Sequence, residues 1–176
     1  MNFKKITKKS ILLFLIILNS TFYQIANAQS LIDYLGIKEK KEYSKNIRVG
    51  NIQLSLISNS EFIIPGKRFS LGLKIIHDEG WHTYWVNPGD SGLATKIKLS
   101  FSELSSKWVI GDIQWPTPKK ILVGPLVNYG YESKILLIKD LIPPEDLKGE
   151  SVIIDAQINW LVCKEVCIPG EKKLKI

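Results

Sequence analysis

From Asn46 onward, apolar and polar residues alternate with a period of two. Ile52, Leu54 and Leu56 are separated by Gln53 and Ser55, and Phe69, Leu71, Leu73 and Ile75 by Ser70, Gly72 and Lys74. Side chains on a strand point to opposite faces in turn, so this pattern predicts half-buried β-strands. Further strands are expected at Trp81–Val86, Lys96–Phe101, Asp112–Trp115, Lys134–Lys139 and Val152–Val162. Pro65-Gly66, Asn87-Pro88-Gly89-Asp90, Pro116-Thr117-Pro118, Gly124-Pro125 and Pro143-Pro144 punctuate them as turns. Many short strands with frequent turns predict an all-β sandwich. After Tyr43 there is no long amphipathic helix of the kind a thioredoxin fold requires.

The last strand candidate is the most informative. Val152, Ile154, Ala156, Ile158, Trp160 and Val162 share one parity and are all apolar; Asp155, Gln157, Asn159 and Cys163 share the other with Ile153 and Leu161. A regular strand therefore turns Cys163 away from the main core. An accessible thiol is the reactive kind, so this orientation is expected to leave Cys163 reachable.

The start of the chain has a different character. Lys4, Lys5, Lys8 and Lys9 precede the apolar run Ile11–Leu18, and Ala26-Asn27-Ala28 has the small-x-small form of a cleavage site. Residues 1–28 read as a secretory signal peptide cleaved after Ala28. The alternative, an uncleaved anchor, requires roughly 20 apolar residues to span a bilayer. Residues 29–45 read as a lead-in segment, with a short helix possible over Leu31–Ile37. The domain proper is expected over 46–176. Export to the periplasm places the chain in an oxidising compartment. It also removes four lysines, so the formal charge of +7 falls to +3 for the mature part. No basic cluster with interleaved aromatics is present, and no nucleic-acid partner is implied.

The chain has only two cysteines, Cys163 and Cys167, with Lys164-Glu165-Val166 between them. In one extended strand these positions lie about 13 Å apart, at roughly 3.3 Å per residue. A disulfide needs Cα atoms roughly 4.4–6.8 Å apart, so if the two pair, the chain reverses between them in a three-residue turn. Pro169 cannot donate to a ladder and fits an edge strand. So short a loop stabilises by only about 2 kcal/mol in the chain-entropy model, which is little for a staple. A redox role, a structural bond, or a metal site or free thiols all remain open at this level. His77 and His82 lie about 80 residues away, which is not a common metal spacing. No metal and no cofactor is implied. Trp81, Tyr84, Trp85, Trp115 and Trp160 read first as packing aromatics, and His82 as a surface or satisfied histidine.

Four motifs in order carry a resemblance: Gly80-Trp81-His82-Thr83-Tyr84-Trp85-Val86-Asn87-Pro88-Gly89-Asp90-Ser91-Gly92, Gln114-Trp115-Pro116-Thr117-Pro118, Gly124-Pro125-Leu126-Val127-Asn128-Tyr129-Gly130-Tyr131-Glu132, and Trp160-Leu161-Val162-Cys163-Lys164-Glu165-Val166-Cys167-Ile168-Pro169. Together they resemble the N-terminal periplasmic domain of the DsbD/ScsB family of thiol:disulfide interchange proteins, the ScsB-like branch above all. The resemblance implies an immunoglobulin-like sandwich whose cysteines cycle between dithiol and disulfide. It implies thioredoxin-like domains or proteins as electron donor and acceptor, fed by a membrane electron-transfer partner. It assigns the partner-attacking role to Cys167 and the resolving role to Cys163. It also implies a cap over the pair near Asn128-Tyr129-Gly130, with Asn128 in place of an aromatic tip and Tyr129 left to shield. Tyr131 and Trp160 complete the expected site lining. The chain departs from the best-known members in having three rather than five residues between the cysteines. The membrane and thioredoxin-like domains do not follow Ile176, so the resemblance implies either that other proteins supply them in trans or that the chain is truncated. The competing reading is a non-catalytic periplasmic binding or adaptor module with a structural disulfide.

Overall fold

The computed structural model describes residues 44–102, 107–149 and 151–176. The signal peptide with its cleavage after Ala28, and the lead-in up to residue 43, lie outside the described residues. The described chain forms eleven strands and no helix. They are β1 (Ile47–Val49), β2 (Ile52–Ser58), β3 (Phe69–His77), β4 (His82–Gly89), β5 (Lys96–Phe101), β6 (Val109–Ile110), β7 (Lys119–Val123), β8 (Leu126–Glu132), β9 (Lys134–Ile142), β10 (Ile154–Cys163) and β11 (Cys167–Lys175).

The strands build two antiparallel sheets, in the orders β1-β2-β3-β9-β6 and β11-β10-β4-β8-β7, with β5 also pairing β10. The result is the all-β sandwich that the alternation predicts, immunoglobulin-like as the resemblance implies. Its core lies between the sheets. Ile52, Leu54, Leu56, Leu73, Ile75, Leu137 and Leu141 come from one sheet; Ile154, Ala156, Ile158, Trp160, Val162 and Leu174 come from the other. All are buried, and on each strand the named residues share one parity, so burial of one face holds the sheets together.

Several elements differ from expectation. Asp112–Trp115 is not a strand. Its only pairing is an isolated bridge between Gln114 and Ile138, and the edge pairing on β9 falls to β6 instead. Pro116 and Pro118 close off further pairing there, because proline has no N–H for a ladder. The pair β7 and β8 joined at Gly124-Pro125 was not legible as strands. On β7 only Ile121 is buried while Leu122 faces solvent, and β8 buries Asn128 and places Gly130 against β4. Neither strand alternates in hydropathy, so the period-two signal is absent. The reversal expected at Asn87–Asp90 comes later: β4 runs through Gly89, and the chain turns at Asp90–Leu93.

The chain passes from one sheet to the other between β8 and β9 at Ser133, whose φ is +61°. His77, at the end of β3, holds this corner. Its backbone N–H donates to the Ser133 carbonyl at 2.7 Å. Its Nδ1 lies 3.1 Å from the same oxygen, which can only accept, so Nδ1 carries the proton. That leaves Nε2 to accept from the Thr83 hydroxyl at 2.9 Å, on β4 of the opposite sheet.

Leu137 is fully buried at the centre of β9. Leu137→Ala is expected to cost about 2–5 kcal/mol, measured by urea denaturation with the slope unchanged.

Candidate functional site

The cysteines sit where β10 turns into β11. The two strands pair in continuous register from Asp155 with Lys175 to Cys163 with Cys167. The last rung thus places the two Cα atoms 4.1 Å apart, and the sulfurs are bonded. Lys164-Glu165-Val166 form the three-residue turn, closed by a hydrogen bond from the Lys164 N–H to the Val166 carbonyl at 3.1 Å. β11 is a sheet edge, so Pro169, opposite Leu161, forfeits no interior ladder bond.

The two sulfurs have different surroundings. Cys167 is exposed, whereas Cys163 is 1% exposed. The parity argument was right about direction, since Cys163 does not belong to the core cluster that holds Val162. Its expected reachability is overturned. Besides Cys167, the end of β10 pairs with β4, where Cys163 is in register with His82. Two residues on, Tyr84 shares the face of His82, and both are buried. A thin second layer therefore covers the outer face of the sheet at this point.

Tyr84 is the centre of that layer. Its hydroxyl lies 3.9 Å from Cys167 Sγ and 3.2 Å from His82 Nε2, and the two rings meet edge to face at 78°. The loop after β4 closes over it. Gly92 lies so near the Tyr84 ring that an added Cβ would sit 2.3 Å from Cε1, and its φ of +102° is one that residues with a Cβ rarely adopt. Asn128 fastens the loop. It is 0% exposed, and its Oδ1 accepts from the Ser91 N–H at 2.9 Å and from Ser91 Oγ at 3.1 Å. Asp90 adds two bonds to Val127, accepting from its N–H and donating to its carbonyl.

The residues expected to cap or line the site are thus distributed. Asn128 lies within β8 and reaches Tyr84 only through the Ser91 loop. Tyr129 is 39% exposed and packs beside Gly89. Tyr131 and Trp160 belong to the core between the sheets. Tyr131 stacks on Trp115 and donates to the Pro116 carbonyl at 2.7 Å, and the Trp160 ring lies across Gly170. The residues beside the cysteines that the sequence did not single out for the site are Tyr84, read as a packing aromatic, and His82, read as a surface or satisfied histidine. Their signal was the i, i+2 spacing, which places both on one strand face; the partner strand was not legible.

Burial sets the electrostatics. It lowers His82 from its usual value, against the opposing pull of Glu132 across the β4–β8 pair. It raises the Tyr84 phenol, against a hydrogen bond with Ser91. It pushes Tyr131 up to about 12 and lowers His77, where the Ser133 carbonyl acts in the opposite direction. The Lys164 stem runs across Gly80 in the turn before β4.

The family model of the N-terminal domain of the thiol:disulfide interchange protein DsbD matches residues 53–176. The chain belongs to this family. Among solved structures this DsbD-type domain is similar to the N-terminal periplasmic domain of ScsB from Proteus mirabilis, at 19% identity and a TM-score of 0.58 over 78% of the chain. The likeness is one of fold, and the chain spans about half (51%) of the length of that ScsB domain. A second match, to the reduced Neisseria meningitidis DsbD N-terminal domain, has 13% identity and a TM-score of 0.31, covering 61% of this chain and 75% of that one. No protein of established function among those compared matches the sequence. The chain is an N-terminal domain of the DsbD type, in which Cys163 and Cys167 form a disulfide.

Two outcomes follow from this geometry. Gly92→Ala is expected to destabilise by more than about 1 kcal/mol, since its φ is positive and the Tyr84 ring occupies the space, as read from thermal unfolding. The histidines give a pH dependence. A base whose folded pKa lies below its unfolded value contributes stability that is full above the unfolded value and lost as pH falls through it. With His77 and His82 both lowered from 6.5, Tm should hold steady above neutrality and fall below pH 6.5. The double His77→Gln, His82→Gln variant should flatten that slope.

Proposed function

We propose that this domain relays reducing equivalents between thioredoxin-like proteins in the periplasm, through the Cys163–Cys167 dithiol–disulfide pair. The observation that carries this reading is the asymmetry of the pair: one cysteine exposed, its bonded partner buried. Exchange proceeds by thiolate attack in line with the S–S bond. A donor thiolate can approach Cys167 Sγ from solvent, with the Cys163 sulfur leaving; it has no such path to Cys163. In the forward direction the Cys167 thiolate attacks an acceptor's disulfide, and Cys163 resolves the mixed disulfide. Cys163 is well placed to do so because β-register holds it opposite Cys167.

The fold suits a domain that must survive cycling. The bond closes a three-residue turn, so opening it releases little chain entropy, and the nine-rung β10–β11 ladder remains to hold the strands together. Electrons reach the domain from a thioredoxin-like donor that is itself fed by a membrane electron-transfer partner. The export signal over 1–28, cleaved after Ala28, delivers the domain to the same compartment. The loop after β4, pinned by Asn128 and flanked by Tyr129, serves as the cover over the inner side of the pair.

Trapping tests this. The exported Cys163→Ser protein should accumulate dithiothreitol-sensitive adducts with thioredoxin-fold proteins on a non-reducing gel after acid quenching. Cys167→Ser should give few or none. Mild dithiol should open the wild-type bond with the circular dichroism unchanged. No adduct from Cys163→Ser, together with a wild-type bond that resists reduction, would leave a structural disulfide in a binding module and sink the relay.

A further inference from the structure

We propose that His82 controls the protonation of the Cys167 thiol through Tyr84. The inference rests on Cys167 being the exchanging sulfur and adds a positioning residue that the cysteine motif does not contain. Three groups stand in line from surface to interior. Cys167 is exposed as a residue; 3.9 Å from its Sγ is the Tyr84 hydroxyl; 3.2 Å beyond is His82 Nε2. Tyr84 is 2% and His82 3% exposed, so bulk water does not compete for the inner link.

The other charged or titratable groups around His82 are engaged elsewhere. Glu132, opposite it on β8, pairs with Lys119 at 3.5 Å. His77 on β3 spends both ring nitrogens on Ser133 and Thr83. Lys164 in the β10–β11 turn lies across Gly80. Cys163, in register on β10, is bonded to Cys167, and Ser91 in the loop after β4 donates to Asn128 and also hydrogen-bonds the Tyr84 phenol. His82 is therefore the ionisable base near the pair that aims a nitrogen at a hydroxyl touching the sulfur. Burial keeps its imidazole neutral at neutral pH, with a lone pair free to accept.

In the reduced domain the sulfur donates to the phenol oxygen, and the phenol donates to Nε2. Ionisation shifts both protons one place inward. The products are a Cys167 thiolate still hydrogen-bonded by Tyr84, a neutral phenol and an imidazolium. The thiolate attacks one sulfur of the acceptor's disulfide; that S–S bond breaks, and the acceptor's other sulfur leaves as a thiolate. Cys163 then loses its proton and attacks Cys167 Sγ, which reforms the domain's disulfide and releases the acceptor's second sulfur. The proton parked on His82 and the one from Cys163 end on the acceptor's two thiols. Two electrons and two protons have moved from dithiol to disulfide, with nothing left over.

The test is the pH profile of Cys167 alkylation by iodoacetamide in the full chain, with Cys163→Ser as background. His82→Gln keeps a hydrogen-bond acceptor for Tyr84 but does not titrate; Tyr84→Phe cuts the line; His82→Asn removes both reach and titration. The expected result is alkylation roughly tenfold slower than background at neutral pH in all three, with the curves converging at strongly alkaline pH, where the thiol ionises without help. Superimposable profiles with a reactive Cys167 would overturn the role of His82 and leave the exchange reading intact. Slowing by the same factor at every pH would also overturn it, since that marks a structural effect. A Cys167 unreactive in every background would overturn both.

Discussion

Strand β10 has two faces, and the site depends on keeping them distinct. Burying Ile154, Ala156, Ile158, Trp160 and Val162 between the sheets fixes the register of the strand, because a slip of one residue would exchange the whole apolar set for Asp155, Gln157 and Asn159. Cys163 faces outward as a consequence of that burial. Its partner is placed by the same constraint, since the ladder with β11 carries the register through to the last rung. A local pair of cysteines thereby inherits its geometry from burial on the opposite face of the strand.

What makes the pair asymmetric is the strand on the other side. β5 pairs with the first part of β10 and β4 with its end, so the sheet neighbour changes along the strand. Between Tyr84 and Gly89 the pairing of β4 with β8 shifts register, and the chain beyond folds back over Tyr84. Such irregularities re-aim side chains beside functional sites. Here the irregularity supplies a cover for one sulfur and leaves the other open. The cost falls on small residues: Gly92 and Gly130 lie where any Cβ would meet the Tyr84 ring or the Thr83 carbonyl.

The histidines divide the work of burial. His77 ties the corner between the sheets with both ring nitrogens and is a structural group. His82, five residues on, points to the outer face, and through Tyr84 it meets the exposed sulfur. Two buried histidines with similar pKa directions thus have different uses, and only their hydrogen-bond partners tell them apart.

Alternation of apolar residues along β2, β3 and β10 was enough to establish a sandwich, the outward direction of Cys163 and the turn between the cysteines, because period-two burial and disulfide reach are local constraints. The four motifs were enough to indicate the family. The strands β7 and β8, the later reversal after β4 and the failure of Asp112–Trp115 to form a strand were not legible, since each is decided by pairing with a distant segment. Asn128 looked like the tip of a loop and is a buried amide holding one; Tyr131 and Trp160 looked like site lining and are core. The sequence by itself determined which face of β10 carries the cysteine. Only the tertiary structure decided that Cys163 is covered, that Cys167 is open, and that His82 and Tyr84 stand behind it, because those facts belong to a neighbouring strand about 80 residues away in the chain and no local pattern records which strand becomes the neighbour.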